Sequence, residues 1–108
     1  MSLMIGKEAE TKASAYLEKE GYTILARNFH SKFGEIDIIA LKEDILHFCE
    51  VKYSQKYDPL LRITPSKMKK IITTIHYYFL THPSSYCYQI DAISIKGEEI
   101  EIIKNISY

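Results

Sequence analysis

Apolar residues recur at intervals of three and four positions in two segments, and this spacing predicts two α-helices. The first covers residues 5–20 and stops before Gly21, a residue type that commonly follows a helix. The second starts after Thr64, which can cap its N-terminus, and Pro65 fits its first turn. It ends before Pro83. Each helix is expected to pack one apolar stripe against the rest of the protein.

Segments rich in β-branched and aromatic residues predict five β-strands. These segments are residues 22–29, 35–41, 45–52, 86–95 and 99–106. Residues 31–34 predict a turn, and the charged tip at residues 42–44 predicts a hairpin between the second and third strands. Residues 53–63 have no clear period and predict a loop. The order αβββαββ indicates an α/β fold in which helices flank a mixed central β-sheet.

The length and composition predict one small folded domain at residues 4–108. Two methionines within the first four residues indicate that residues 1–3 are an expression scar, with Met4 as the native start. Hydrophobic residues make up 46% and charged residues 26%, which is not typical of a disordered, fibrous or disulfide-rich protein. The apolar stretches are far shorter than the roughly 20 residues that cross a bilayer, so a cytoplasmic protein without a membrane partner is expected.

The formal net charge is zero, but the basic residues are concentrated in one segment. Residues 51–70 carry a local excess of five positive charges, and the rest of the chain carries the opposite excess. The basic residues of this segment are Lys52, Lys56, Arg62, Lys67, Lys69 and Lys70. Such a segment can bind phosphates, although a solvated helix end and loop would give the same pattern.

The cysteines and histidines do not show the spacing of a metal or redox site. Cys49 and Cys87 form no CxxC motif, and we interpret both as buried free thiols. The histidines form no HxxxH or HExxH pattern, so zinc is not predicted. A nucleophilic pair of Cys49 and His47 is disfavoured, because residues two apart on a strand would have to bend toward each other.

Charged residues interrupt the two apolar runs of the predicted hairpin. Asp37 lies inside the first run, and Glu50 and Lys52 lie two residues apart, hence on one face, at the end of the second. If Lys42 pairs with Ile45, the same register brings Asp37 opposite Glu50, at roughly 5 Å. The tip lacks an Asn-Gly turn, and a slip of one residue would move Asp37 to the other face.

Two carboxylates this close repel each other unless a cation lies between them, and hard oxygen ligands favour Mg²⁺ or Mn²⁺. A neighbouring lysine such as Lys52 can hold a phosphate oxygen or help to generate hydroxide, so the combination predicts phosphodiester hydrolysis. The alternative is an ion pair of Lys52 with Asp37 or Glu50 and no metal. Glu10, which falls on the apolar stripe of the first helix, and Gly34, directly before the acidic strand, favour the metal site.

The motif GEIDIIA at residues 34–40, followed by EVK at residues 50–52, resembles the PD-(D/E)xK motif of restriction-endonuclease-like nucleases. Together with residues 6–29 upstream, it is similar to the YraN-like family of small bacterial proteins, which is related to archaeal Holliday-junction resolvases. The resemblance extends from about Gly6 to the final strand. It implies a restriction-endonuclease-like fold and an endonuclease that acts on DNA, for example branched or damaged DNA.

The resemblance also implies roles for individual residues. Asp37 and Glu50 match the acidic metal ligands, and the Val51 carbonyl would be a further ligand of Mg²⁺ or Mn²⁺. Lys52 matches the catalytic lysine. Glu10 matches the helix-borne acid that completes such sites, and it is therefore expected as a catalytic residue and as a further metal ligand.

DNA contacts are expected along the basic segment and at the start of the second helix, where Thr64 and Lys67 match the threonine and lysine of the family. The predicted DNA-contacting residues are Lys56, Arg62, Thr64, Lys67 and Lys70. Asp91 matches the late RFD motif of the family, but Gln89 replaces its arginine, and Ala9 replaces a usual glycine. The arginine that often follows the lysine closely in the family is also missing after Lys52, so some of the family's basic DNA contacts are absent.

The predicted function involves several kinds of partner. DNA is the expected partner, a cut through both strands would require a homodimer, and activity could depend on a protein partner. Tyr53 and Tyr57 are expected to be packing residues and not base-stacking residues. The competing hypothesis is a non-catalytic nucleic-acid-binding or adaptor protein that keeps the fold and its charged residues as structure.

Overall fold

Two helices cover the two faces of a five-stranded sheet in the computed structural model, which describes residues 2–54 and 63–106. The elements are α1 (Ser2–Lys19), β1 (Thr23–Ser31), β2 (Gly34–Lys42), β3 (Ile45–Ser54), α2 (Pro65–Thr81), β4 (Cys87–Lys96) and β5 (Glu99–Ile103). The predicted order αβββαββ is therefore confirmed. The third strand runs two residues further than predicted, and the last strand ends three residues earlier.

The strands lie in the sheet in their chain order, β1-β2-β3-β4-β5. Neighbouring strands are antiparallel except β3 and β4, which are parallel because α2 connects them across one face of the sheet. The sheet is therefore mixed, as predicted, and the architecture is consistent with a restriction-endonuclease-like fold.

Side chains of the central strands alternate between two separate cores. On β3, Cys49 belongs to the core beneath α1, whereas Phe48 belongs to the core beneath α2. The first core includes the α1 residues Ala9, Ala13 and Leu17, and the second includes the α2 residues Met68, Ile71 and Ile75. Each buried branched side chain contributes about 1.5–3 kcal/mol to the folding free energy. The apolar stripes predicted for both helices are therefore the buried faces.

The N-terminus of α2 is capped by Thr64. Its side-chain oxygen accepts a hydrogen bond of 3.1 Å from the Lys67 N–H, and Pro65 occupies the first turn. This confirms the predicted start of the helix. The cap also fixes Lys67 in the first turn of α2, close to the end of β3 that carries the charged residues.

The β2–β3 hairpin has the predicted register. Lys42 pairs with Ile45, and the ladder continues to the pair of Ile38 with Cys49. Only Glu43 and Asp44 lie between Lys42 and Ile45, so the turn is tight. Their φ angles are 52° and 64°, which residues other than glycine and asparagine seldom adopt. The next pair in this register would be Asp37 with Glu50, directly beyond the last pair of the ladder. Both residues therefore lie at the same end of the sheet.

The β1–β2 turn is anchored to α2. The Ser31 and Thr74 hydroxyl oxygens lie 3.3 Å apart, within hydrogen-bond distance. A Cβ atom at Gly34 would lie 3.3 Å from Thr74 Oγ1 and 3.5 Å from Lys70 Cβ, so only glycine leaves ordinary space for this contact. Gly34 therefore lets the turn pack closely against α2.

The two cysteines differ in environment. Cys49 is buried, as predicted, but Cys87 is exposed, so the prediction of a buried thiol is wrong for Cys87. The physical reason is its place at the first residue of β4, beyond the part of the strand that the helices cover.

Neither of the two helices described in the structure has the length and apolar character needed to cross a membrane.

We predict that replacing the strained turn by Glu43→Asn and Asp44→Gly stabilises the protein by about 1 kcal/mol, because asparagine and glycine adopt left-handed φ angles at lower cost. The midpoint of urea unfolding, followed by circular dichroism, measures this effect. The control Glu43→Gln with Asp44→Ser removes the same charges without favouring that geometry. Equal midpoints for the two double variants would contradict the prediction.

Candidate active site

Asp37 lies beside the β3 backbone just beyond the end of the hairpin ladder. Its Oδ2 atom accepts a hydrogen bond of 2.8 Å from the Val51 N–H. This bond ties the carboxylate of β2 to the strand that carries Glu50 and Lys52. The structure therefore brings together the two acidic positions predicted from the register, at the end of the sheet where the β1–β2 turn lies.

Among the predicted acidic residues Glu10, Asp37 and Glu50, Glu50 is the most deeply buried, with 3% of its surface exposed. Its Oε1 atom lies 3.5 Å from Lys67 Nζ. The other oxygen, Oε2, is buried and has no hydrogen-bond partner among the residues that the structure describes. A buried acceptor without a partner costs about 1–3 kcal/mol, and more when it is charged. Oε2 is therefore an oxygen that a further ligand would stabilise.

Burial and like charges raise the pKa values of both acids. Burial is the main cause for Glu50, whose pKa rises to about 7; the charge of Asp37 adds to this, and Lys67 and Lys52 oppose it. Burial also raises the pKa of Asp37, and the Val51 hydrogen bond opposes the rise. Nearby Glu10 contributes to the same rise. The charged forms of both carboxylates are therefore destabilised, mainly by burial and further by their mutual repulsion, and a bound cation would offset both effects.

Glu10 contributes to the site from α1, but its carboxylate already has partners. Glu10 Oε1 accepts a hydrogen bond of 3.0 Å from Asn28 Nδ2, and it lies 3.9 Å from Arg27 Nη2. These two contacts from β1 hold the acid at a distance where it still affects Asp37. Sequence reasoning missed both partners, because nothing local connects β1 to the first turns of α1.

The donor set suits Mg²⁺ or Mn²⁺ better than zinc. In the described ranges, 2–54 and 63–106, no three His, Cys, Asp or Glu side chains converge as a metal-ligand cluster. Zinc sites need three or four such protein ligands, whereas Mg²⁺ is commonly bound by one or two carboxylates and keeps several water molecules. Asp37, Glu50 with its unpartnered Oε2, and the adjacent Val51 backbone fit this second description.

Lys52 is partly exposed two residues after Glu50. No carboxylate of the described residues lies within 4.0 Å of its Nζ atom, so the predicted alternative of a Lys52 ion pair with Asp37 or Glu50 does not form within that part of the chain. The lysine that contacts Glu50 is Lys67 instead. One signal for this contact was available, because Lys67 lies four residues before the buried Ile71 and therefore on the inward side of α2.

The other predicted DNA-contacting residues fall in different places. Lys56 and Arg62, like Tyr57, lie outside the described residues. Thr64 is exposed, with its hydroxyl oxygen used as the helix cap, and Lys70 is exposed on α2. Tyr53 packs against the core beneath α1, as expected of a packing residue.

A buried histidine–aspartate pair lies on the α1 side of the sheet. The Nδ1 atom of His47 is 2.6 Å from Asp91 Oδ2, and Asp91 Oδ1 accepts hydrogen bonds from Gln89 Nε2 and from the Asn105 N–H. Asp91, which sequence reasoning matched to the late family motif, therefore ties β3 and β4 to the chain after β5. This arrangement accounts for a buried aspartate without any catalytic role.

The structure does not form the nucleophilic pair of Cys49 and His47. The Cys49 thiol donates a hydrogen bond of 3.7 Å to the His47 carbonyl oxygen, while the His47 ring faces Asp91. Burial raises the pKa of Cys49 well above its usual value, with nearby Asp91 and Glu50 adding to the rise. Cys49 is therefore an inert buried thiol.

Comparison with known proteins identifies one family. The model of the Uncharacterised protein family UPF0102 matches residues 9–95. A UPF0102 protein of a Nitratiruptor species is 47% identical over 106 residues, which cover 98% of this chain and 95% of that protein. A UPF0102 protein of Campylobacter jejuni subsp. jejuni is 51% identical over 100 residues, which cover 92% of this chain and 89% of the relative.

We predict that Glu50 makes the metal-free protein less stable as pH rises. Burial raises the pKa of its carboxyl group from 4.5, the value for an exposed chain, to about 7 in the folded protein. The folded state therefore binds the extra proton between these values, and stability falls by roughly 3 kcal/mol as pH rises from about 4.5 to above 7. The Glu50→Gln variant should lose this part of the pH dependence.

Urea unfolding in EDTA at pH 5 and pH 8 measures the effect. The control is Glu98→Gln, which changes a glutamate whose side chain is 93% exposed. If Glu50→Gln and wild type lost the same free energy of unfolding between the two pH values, a raised pKa of Glu50 would be excluded as the cause.

Proposed function

Since the chain belongs to the uncharacterised protein family UPF0102, the YraN-like family predicted from its motifs, we propose that it is a metal-dependent DNA endonuclease that hydrolyses phosphodiester bonds. One observation carries the proposal: Asp37 and Glu50 meet at one end of the sheet, and Glu50 Oε2 is buried without a partner among the described residues. Two neighbouring carboxylates, one of them with a buried oxygen that lacks a partner, can bind a hard cation.

Asp37 and Glu50 would hold Mg²⁺ or Mn²⁺, with the Val51 carbonyl as a further ligand. The bound ion would lower the pKa of a water molecule and stabilise negative charge on the phosphate. Glu10 would increase the negative potential at the site without contacting the ion, because Asn28 and Arg27 hold its carboxylate.

Lysines of two different elements would act on the phosphate. Lys52 lies on the same strand face as Glu50 and is not engaged by a carboxylate of the described residues, so its ammonium group is available to a phosphate oxygen. Lys67 enters from the first turn of α2 and offsets part of the charge of Glu50. The basic segment at residues 52–70 would hold the DNA backbone by its positive charge.

A non-catalytic DNA-binding or adaptor protein is the second candidate. The contact of Lys67 with Glu50, together with the pKa of Glu50 near 7, favours it, because both reduce the negative charge of the site without a metal. A protein of this kind would, however, gain nothing from placing Glu10 near Asp37 and Asp37 near Glu50, since repulsion among buried acids destabilises the fold.

We predict that the protein cleaves DNA in Mg²⁺ or Mn²⁺ and that Asp37→Asn, Glu50→Gln and Lys52→Ala each lower the rate by more than about 100-fold. Linear duplex, single-stranded and four-way-junction DNA serve as substrates, and gel electrophoresis of end-labelled strands measures the cleavage rate. The matched controls are Asp44→Asn, on the exposed hairpin tip, and Lys104→Ala, on the exposed chain after β5. Both should cleave at the wild-type rate.

Folded wild-type protein that binds DNA but cleaves none of these substrates would favour the second candidate. Cleavage that persists in all three site variants would exclude Asp37, Glu50 and Lys52 as the site.

We also predict that Mn²⁺ binds to the protein without DNA and that Asp37→Asn abolishes this binding. Lys67→Ala should bind Mn²⁺ several-fold more tightly than wild type, because it removes the positive charge 3.5 Å from Glu50 Oε1. Isothermal titration calorimetry gives both affinities, with Asp44→Asn as the control. Equal Mn²⁺ affinity of wild type and Asp37→Asn would exclude this metal site.

A further inference from the structure

Phe33 is a large aromatic side chain exposed at the tip of the β1–β2 turn. The relative solvent exposure of Phe33 is 46%. Among the described residues its ring stacks on no other aromatic ring. Two other exposed rings differ in this respect: Tyr77 contacts Phe29, and Tyr88 contacts Phe48. Phe33 therefore contributes little to the core and leaves an apolar ring face available to a partner.

The turn that carries Phe33 is held in place. The Phe33 N–H donates a hydrogen bond of 3.1 Å to Ser31 Oγ, and Ser31 Oγ lies 3.3 Å from Thr74 Oγ1 of α2. Gly34, on the other side of the turn, lies so near α2 that an added Cβ atom would come within 3.3 Å of Thr74 Oγ1. A ring on a fixed support loses little conformational entropy on binding, which favours recognition.

One lysine lies over this ring, and two others line the groove beside it. Lys32 Nζ lies 5.5 Å from the centroid of the Phe33 ring. Lys67 and Lys70 of α2 line the same surface groove as Lys32 and Phe33. The groove reaches the candidate active site, because Lys67 both lines the groove and contacts Glu50.

The acid that lines this groove does not cancel these charges. Glu35 is the acidic residue among the described lining residues, and its Oε1 atom lies 3.3 Å from His30 Nδ1. Lys67 is already in contact with Glu50, and Glu35 has His30 as its neighbour. Lys32, Lys70 and the exposed ring therefore face the groove without a carboxylate within 4.0 Å of either lysine among the described residues. Phosphates and a flat apolar base are complementary to this arrangement.

We propose that the β1–β2 turn is a binding site for an unpaired nucleotide next to the scissile phosphate. The base stacks on Phe33, and the phosphates on either side contact Lys32 and Lys70. In a duplex both faces of each base are covered by its neighbours, so only an unpaired base presents a free face to the ring. The proposal rests on the proposed endonuclease function for its place beside a cleavage site, and it names the substrate class as DNA with a single-stranded segment.

The absence of tryptophan from the chain provides a direct test. The Phe33→Trp variant carries the only indole of the protein, and a stacked base quenches its fluorescence. Titration with a ten-nucleotide oligothymidine in EDTA, where cleavage does not occur, should quench this variant to saturation. A duplex of equal length should quench it far less.

The matched control is Tyr86→Trp. Tyr86 is 42% exposed, similar to Phe33, but it directly precedes Cys87, which pairs with Ile45 at the opposite end of the sheet. Its fluorescence should not change on titration. In parallel, fluorescence anisotropy of labelled oligothymidine should show that Phe33→Ala weakens single-strand binding by roughly 5- to 100-fold, the range expected for one lost stacking contact.

Three results would overturn the proposal: no quenching in Phe33→Trp, equal quenching in both tryptophan variants, or wild-type affinity of Phe33→Ala for oligothymidine. These outcomes are separate from failure of the proposed function. Metal-dependent cleavage that needs Asp37, with unchanged binding by Phe33→Ala, would exclude the nucleotide site alone. Selective quenching of Phe33→Trp without cleavage of any DNA would exclude the endonuclease alone.

Discussion

The register of the β2–β3 hairpin is the constraint on which the candidate site depends. Side chains alternate between the faces of a strand, so a slip of one residue would move Asp37 from the face that Glu50 occupies to the other. The left-handed turn at Glu43 and Asp44 sets this register from one end of the hairpin. The hydrogen bond from the Val51 N–H to Asp37 holds it at the other end. Backbone geometry thus brings the two acids together before any ligand does.

Bringing the acids together has an energetic cost that the fold only partly offsets. Burial raises the pKa of Glu50 to about 7, and Lys67 reduces but does not remove this effect. Glu50 Oε2 stays without a partner in the described part of the chain, and Glu10 adds negative charge from the other side of the sheet's end. Acidic side chains strained in this way are common at functional sites, because the strain is relieved when the ligand binds. The same charges explain why a hard divalent cation is the ligand that we propose.

Much of the fold follows from local sequence periods, whereas the contacts of the site do not. The apolar stripe of α2, its Thr64 cap and the hairpin register all depend on residues close together in the chain, and all three agree with the structure. The contact of Lys67 with Glu50 joins residues 17 positions apart, and Asn28 reaches Glu10 across 18 positions. The helical period places Lys67 on the inward side of α2, but no period encodes which residue it contacts, because this depends on how helices pack on the sheet. The same limit applies to Phe33, since a turn residue shows its exposed setting and its neighbouring lysines only in the folded protein.

Lys67 connects the groove at the β1–β2 turn with the acidic pair, because it lines the groove and contacts Glu50. The central claim is that this acidic pair binds a divalent metal ion. Anomalous diffraction from crystals soaked in manganese chloride tests it most directly. We expect an anomalous peak within coordination distance of Asp37 and Glu50 Oε2. A peak elsewhere, or no peak while Lys67 still contacts Glu50, would contradict it.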